Sequence, residues 1–478
     1  MRNRFWQMLL EITSRYEKQP AFLYRDGNRM VSVTYPEFLQ AVQKRTMYYR
    51  SIPQTRIGIW AFNSYEWIVN AAAMLLAGKV IILLDANLGE KDLLALGTYA
   101  DVELLASDAD MLEADQGIAA SIPMQLLGQE WGSEQGDMPF EPGEEGSWIC
   151  FTSGTSRSSK GVVYPMGALL CGIEKADSSL YGNTGDRYYI PVPYHHMFGF
   201  STVFRVLNRG GIICIGQGAR YLLKDLEEYQ PDLAFLVPSM IKYLVQKEGF
   251  PASLRIVYTS GSALSQELYQ EVRARNMAVY NQYGLSETVC PICTGTDAKE
   301  FPWMKPADGV RFVRTPEGEL GVYLAFHLQE YYKKEADTLA VLDKDAHLFW
   351  TGDAAEIDDD GYILIRGRMR DTIVLENGEK IHAGDTDDEL LGLPGVEDAA
   401  VIGIDGELIA VFVKSPGVSE EQIREELKLL NQRRYTFARI HKTWFVEDKL
   451  PRTAVGKLKR FILENEYRKR MVDGNETK

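Results

Sequence analysis

At 478 residues the chain exceeds one ordinary domain, so two or three are expected at ~150 residues each. A formal charge of −15 with 25% charged residues suits a soluble protein and argues against nucleic acid as the main partner. The five cysteines, at 150, 171, 214, 290 and 293, are few and scattered, which argues against a disulfide scaffold and for a reducing compartment.

In chain order, MRNRFWQMLLEI has basic residues, but Gln7 and Glu11 interrupt any signal-peptide core. Arg56–Trp60 reads as a short strand, Ser64–Ala77 as a helix and Val80–Leu84 as a buried strand of the parallel-sheet kind. The longest apolar stretch, Val69–Leu84, is broken at Asn70 and Gly78–Lys79 and is too punctuated to span a membrane, so a cytoplasmic protein without a transmembrane segment is expected. Trp148–Phe151 and Gly161–Tyr164 read as a strand and its hairpin return. Strands recur at 211–215, 234–237 and 255–258, which gives an α/β layout with no internal repeat. Past Gly318 the texture turns to short strands, with a hairpin turn at Asp359–Asp360–Gly361. A domain boundary is expected near Met369–Arg370, giving domains 1–369 and 370–478. The tail reads as a turn at Glu376–Asn377–Gly378, a helix, strands at 399–404 and 408–414, then helical segments. From 432 to 470 it carries twelve Lys/Arg against four Asp/Glu, so this end is locally basic on an acidic protein.

The stretch FTSGTSRSSKG, 151–161, concentrates hydroxyls, glycines and two cations at a hairpin tip. It is not a Walker A loop: Ser159 stands where the second glycine belongs, and Gly161 follows Lys160 where a metal-binding hydroxyl is needed. An anion-binding turn and a solvated Ser-rich turn remain open on these residues alone. The lone CPIC at 290–293 lacks a second pair or a redox context, so packing is the expected role of both thiols.

Five stretches in order carry a stronger signal: FTSGTSRSSKGVV (151–163), VPYHHMFGF (192–200), NQYGLSE (281–287), WTGD (350–353) with GYILIRGRMRD (361–371), and LPRTAVGKLKR (450–460). Together they resemble the core motifs of the adenylate-forming superfamily, which includes acyl-CoA synthetases, peptide-synthetase adenylation domains and firefly luciferase. The resemblance runs over nearly the whole chain. It implies a large layered α/β N-terminal domain with a small β-barrel, and a small, mobile α+β C-terminal domain. The implied chemistry is attack of a carboxylate on the α-phosphorus of ATP, loss of pyrophosphate, and transfer of the acyl group to a thiol. Such chemistry needs phosphate holders, a cation on the developing charge, a metal and a nucleoside clamp.

The resemblance also implies site residues. Thr152, Ser153, Gly154, Thr155 and Lys160 would grip the β- and γ-phosphates, with Arg157 and Ser159 departing from the usual glycine and proline; Arg157 is left between phosphate and solvent. His196 would gate the acyl pocket. Tyr283 would lie on adenine, Ser286 would contact the α-phosphate, and Glu287 would hold Mg²⁺. Asp353 and Arg368 would take the ribose, Arg370 falls on the hinge, and Lys457 would bridge the carboxylate and the α-phosphate. Cofactors are ATP, Mg²⁺ and CoA, or the phosphopantetheine of an acyl or peptidyl carrier protein. Departures in the C-terminal domain, a short 404–407 turn and Ala383–Gly384, leave the acceptor open. The acid, fatty or aryl, is equally open, with Phe198, Phe200, Phe235 and Ser262 as candidate pocket walls. A non-catalytic nucleotide-binding relative and an oxygen-consuming luciferase-like enzyme are the rival readings.

Overall fold

The computed structural model describes residues 3–108, 111, 118, 121–128, 142–152, 160–375, 380–452 and 458–472. It divides into two compact units: Met1–Ser260 with Glu271–Arg311 and Tyr323–Phe349, and Trp350–Lys478 with Gly261–Gln270 and Phe312–Val322.

The first unit is built on two sheets. In one, Pro20–Asp26, Ile212–Ile215, Arg187–Ile190, Leu233–Leu236, Ile256–Thr259 and Ala278–Tyr283 run parallel, with Arg29–Thr34 antiparallel at one end and Cys293–Gly295 and Met304–Pro306 antiparallel at the other. In the other, Met124–Leu126, Leu104–Ser107, Arg56–Trp60, Val80–Leu84 and Ser147–Phe151 are parallel, and Gly161–Pro165 and Glu330–Tyr331 close the edge antiparallel. The strands read from apolar runs therefore sit where parallel strands must, buried on both faces.

The helix Tyr65–Leu76 starts where the Ser64 hydroxyl accepts from the Trp67 N–H, and its residues from Trp67 to Leu76 are all buried. Its one buried amide, Asn70, accepts from the Tyr49 hydroxyl at 2.6 Å and donates to the Leu127 carbonyl at 3.1 Å, so the break in the apolar run is satisfied inside the core. None of the described helices is long and apolar enough to cross a membrane.

In the second unit, Arg311–Arg314, Glu319–Tyr323, Leu348–Ile357 and Ile363–Arg368 lie side by side in that order, and the turn before Ile363 has Gly361 at φ +82°. A smaller sheet joins Val396–Ile404, Glu407–Lys414 and Lys442–Val446, the last parallel to its neighbour. Sequence reading had only helical segments after 414, so the strand Lys442–Val446 is a correction. Thr443, Trp444, Phe445 and Val446 have strand propensity, and a partner strand decides the matter. Alternation gives this sheet two cores: Ala399, Val401, Ala410 and Phe412 face the helix Glu420–Arg433, while Ala400, Ile402, Ile409 and Val411 pack with Trp444 and Leu463. The hairpin between its first two strands turns on Asp405 and Gly406, both at positive φ.

Among the described residues, five of the cations from 432 to 470 are in ion pairs within this unit: Arg434 with Glu389, Lys442 with Glu407, Arg452 with Asp398, Arg460 with Asp387 and Arg468 with Asp405. The basic end is thus partly neutralised by acids from elsewhere in the unit.

Candidate active site

Ser147–Phe151 and Gly161–Pro165 form an antiparallel hairpin in the second sheet, with Glu330–Tyr331 paired outside it at the edge. Its neck is closed by the Thr152 N–H to the Lys160 carbonyl at 2.9 Å and the Lys160 N–H to Thr152 Oγ1 at 3.1 Å. Ser153, Gly154 and Thr155, together with Arg157 and Ser159, lie outside the described residues, as do Lys457 and the Glu376–Asn377–Gly378 turn. Lys160 Nζ stands 4.4 Å from the centre of the Tyr331 ring and 3.5 Å from Asp337 Oδ1.

Tyr283 ends the last parallel strand of the first sheet, and a single 3₁₀ turn, Ser286–Thr288, follows it. The Tyr164 hydroxyl donates to the Ser286 carbonyl, and the Leu328 N–H donates to the Glu287 carbonyl at 2.8 Å, so this turn is pinned from two sides. Val289 then takes φ +61° and ψ −60°, with the Cys290 N–H reaching the Thr288 carbonyl at 2.6 Å. A β-branched residue there is strained by about 1–3 kcal/mol, which the surrounding pairing must hold. The Tyr331 hydroxyl donates to Glu287 Oε1 at 2.7 Å. Glu287 and Lys160, from two of the sequence motifs, are therefore joined through Tyr331, a residue that no motif singled out.

The donor chemistry at Glu287 fits Mg²⁺. Among the described residues no group of three His, Cys, Asp or Glu side chains could hold a metal. One hard carboxylate supplemented by substrate phosphate and water is how Mg²⁺ is commonly bound.

His196 caps the helix Met197–Arg209, and the His195 and His196 rings lie 4.6 Å apart. His195 is buried with Nε2 3.7 Å from Asp85 Oδ1, and its carbonyl accepts from Cys150 Sγ at 3.2 Å. That thiol contact ties the histidine turn to the strand Ser147–Phe151 of the hairpin. Burial lowers the pKa of both imidazoles. It pushes His196 down to about 3, with His195 adding to the effect and Asp85 opposing it. Burial by itself would raise the Asp85 carboxyl, but His195 and the Asn87 hydrogen bonds hold it below its usual range.

Of the candidate walls, Phe200 is committed to the core, packed on Trp67, Trp148 and Phe204, and Phe235 is buried against Tyr258. Phe198 is only partly buried and touches Phe235 edge-on.

In the second unit, Asp353 and Arg368 are register partners on adjacent strands. Arg368 Nε lies 3.0 Å from Asp353 Oδ1, and its Nη1 donates to the Thr351 carbonyl at 2.9 Å. Asp353 is only 4% exposed, so this guanidinium supplies the charge that makes its burial tolerable.

Two other features take no part. Cys290 and Cys293 are buried free thiols, with burial pushing Cys290 up to about 11, consistent with packing. A cavity of about 580 Å³ in the first unit is lined by Arg4, Cys171, His327, Lys344 and His347 among others and contains none of the expected site residues.

Comparison with known proteins places the family and the fold. Residues 11–313 match the model of the AMP-binding enzyme family, and residues 386–457 match that of the AMP-binding enzyme C-terminal domain. A 2-succinylbenzoate–CoA ligase from Staphylococcus epidermidis is 25% identical over 470 residues, covering 92% of this chain and 96% of the relative. The o-succinylbenzoate coenzyme A synthetase of Bacillus subtilis, solved with ATP and magnesium ion, superposes with a TM-score of 0.82 at 21% identity, covering 96% and 99% of the two chains. The amide bond synthetase McbA from Marinactinospora thermotolerans superposes with a TM-score of 0.83 at 20% identity, covering 97% and 99%. These likenesses extend over the whole adenylate-forming architecture, and the chain belongs to the AMP-binding enzyme family.

Proposed function

We propose that the chain is an ATP-dependent acid–CoA ligase acting on an aryl carboxylic acid of the 2-succinylbenzoate kind. The observation that carries this reading is the joining of Lys160 and Glu287 through Tyr331 beside the loop hairpin. Full-length similarity to 2-succinylbenzoate–CoA ligases supports the acid class and the acceptor.

In the first half-reaction a carboxylate oxygen attacks the α-phosphorus of ATP and pyrophosphate leaves, giving an acyl adenylate. In the second, a thiolate attacks the acyl carbonyl and AMP leaves. Thr152, Ser153, Gly154, Thr155 and Lys160 hold the β- and γ-phosphates, and Ser286 contacts the α-phosphate. Tyr283 lies on adenine, and Asp353 with Arg368 takes the ribose, where a buried carboxylate is suited to accept from two hydroxyls. Mg²⁺, when bound at Glu287, offsets phosphate charge. His196 lines the acyl pocket as a neutral imidazole, and Lys457 bridges carboxylate and phosphate. The domain boundary is proposed at 369/370, within the 3₁₀ turn Met369–Asp371 that directly follows Arg368; the compact second unit begins earlier, at Trp350, and also takes in Gly261–Gln270 and Phe312–Val322. Loading of a carrier-protein phosphopantetheine is the second reading for the acceptor, favoured by the two-residue turn at Asp405–Gly406 in place of a longer loop.

The test is ATP–pyrophosphate exchange over a panel of acids, followed by thioester assay with CoA and with a phosphopantetheinylated carrier. Exchange should be strongest with 2-succinylbenzoate or a related aryl acid. Lys457→Ala should lower it by ~10²–10³, the usual loss for one preorganised group facing developing charge. Exchange unchanged in that variant would remove the lysine from the mechanism.

A further inference from the structure

We infer that Tyr331 is a positioning residue that sets the metal-binding carboxylate of Glu287, and that Asp337 is the resting counter-ion of Lys160, displaced when nucleotide phosphate arrives. The inference rests on the assignments of Glu287 and Lys160 above and deepens them.

Tyr331 is held from several directions. Glu330 and Tyr331 pair with Val163 and Val162 on the return strand of the loop hairpin. The next residue, Tyr332, donates its N–H to the Gly161 carbonyl at 2.7 Å. The Tyr331 N–H itself donates to Thr338 Oγ1 at 2.9 Å, and that buried hydroxyl donates in turn to the Lys334 carbonyl at 3.0 Å. The ring is 4% exposed, so its hydroxyl has little freedom to point elsewhere than at Glu287 Oε1. A hydrogen bond to a charged acceptor is among the stronger kind, and one that engages a single oxygen fixes the rotamer of the carboxylate. Outer partners of this sort govern metal affinity without touching the metal.

The face of the same ring carries Lys160. One aromatic side chain thus sets the carboxylate through its hydroxyl and the lysine through its π-face. Asp337 stands beside Thr338, whose hydroxyl anchors Tyr331, so the counter-ion is tied to the same short segment. The Lys160–Asp337 pair is solvated, with side chains 32% and 45% exposed. Such pairs contribute little and are readily exchanged for a better anion. A polyphosphate, carrying more charge than one carboxylate, is such an anion.

The test uses the full chain and needs no turnover. Mn²⁺ affinity is measured by electron paramagnetic resonance with ATP present and acid absent, and ATP affinity is measured by calorimetry in EDTA. Tyr331→Phe keeps the ring under Lys160 and removes only the hydroxyl. It should weaken Mn²⁺ binding by about 10–100-fold, as loss of an outer partner does, while ATP affinity in EDTA and the KM for the acid stay unchanged. Asp337→Asn should tighten ATP binding in EDTA by about threefold, the scale of an exposed ion pair, and leave the Mn²⁺ step unaltered. Mn²⁺ affinity in Tyr331→Phe equal to wild type, with an unchanged Tm, overturns the positioning role. Unchanged or weaker ATP binding in Asp337→Asn overturns the counter-ion role. Glu287→Gln separates this inference from the reading beneath it: if Glu287→Gln loses Mn²⁺ and Tyr331→Phe does not, only Tyr331 is misassigned. If Glu287→Gln retains Mn²⁺, the metal assignment itself is wrong.

Discussion

The His195–His196 turn makes a prediction at the scale of a single residue. The groups facing these rings are Asp85 and each other, and burial outweighs them both in lowering the two pKa values. A histidine whose folded pKa lies below its ordinary value of 6.5 binds a proton more readily when unfolded. Stability from this source is therefore complete above pH 6.5 and falls as pH drops toward about 3, the folded value for His196. Each such group contributes a slope of at most ~1.4 kcal/mol per pH unit in that window. Urea unfolding between neutral pH and mild acid should show stability falling with acidification, and His196→Gln should flatten the slope. An unchanged slope would mean that His196 keeps its proton in the folded state. With its pKa lowered by burial the ring is neutral near neutrality, so the role proposed for it at the acyl pocket is one of shape and hydrogen bonding. The residue pattern HH-M-F-G-F suggested the position but could not show this, because the burial comes from strands and helices distant in sequence.

At the scale of elements, the helix Met197–Arg209 is set against the histidine turn by one glycine. A Cβ at Gly199 would stand 2.3 Å from the Pro193 carbonyl oxygen, which is backbone and cannot swing aside. Gly199→Ala should therefore push the helix off the turn, costing about 1–3 kcal/mol as overpacked sites do. It should also lower adenylation through displacement of His196. A lowered Tm together with reduced exchange is the expected pair of readings; wild-type values of both would show that the turn can relax. The hairpin around 151–161 was legible because two apolar runs flank a polar tip. The edge strand Glu330–Tyr331 was not, since two residues carry no periodicity and their identity as a strand comes only from pairing with Val162 and Val163.

At the scale of the whole molecule, the second unit has its own cores, and Phe412 lies fully buried in one of them beside Ile423 and Ile440. Phe412→Ala should cost that unit about 3–5 kcal/mol. Hydrogen exchange should then quicken across Val396–Lys414 and stay slow in the strands Arg56–Trp60 and Val80–Leu84 of the first unit. Equal acceleration in both sets would show that the units unfold as one.

The sequence by itself determined the α/β alternation, the loop hairpin and the family, and it nominated the candidate site residues, because apolar period, turn residues and motif spacing are local properties. The tertiary structure alone decided what those residues face. It placed Tyr331 between Lys160 and Glu287 and buried Phe200 in the core. It also paired Arg460 and its basic neighbours with acids such as Asp387, far from them in the chain. Contacts of that kind arise from which strands become neighbours, and strand order depends on the packing of the whole unit rather than on any window of sequence.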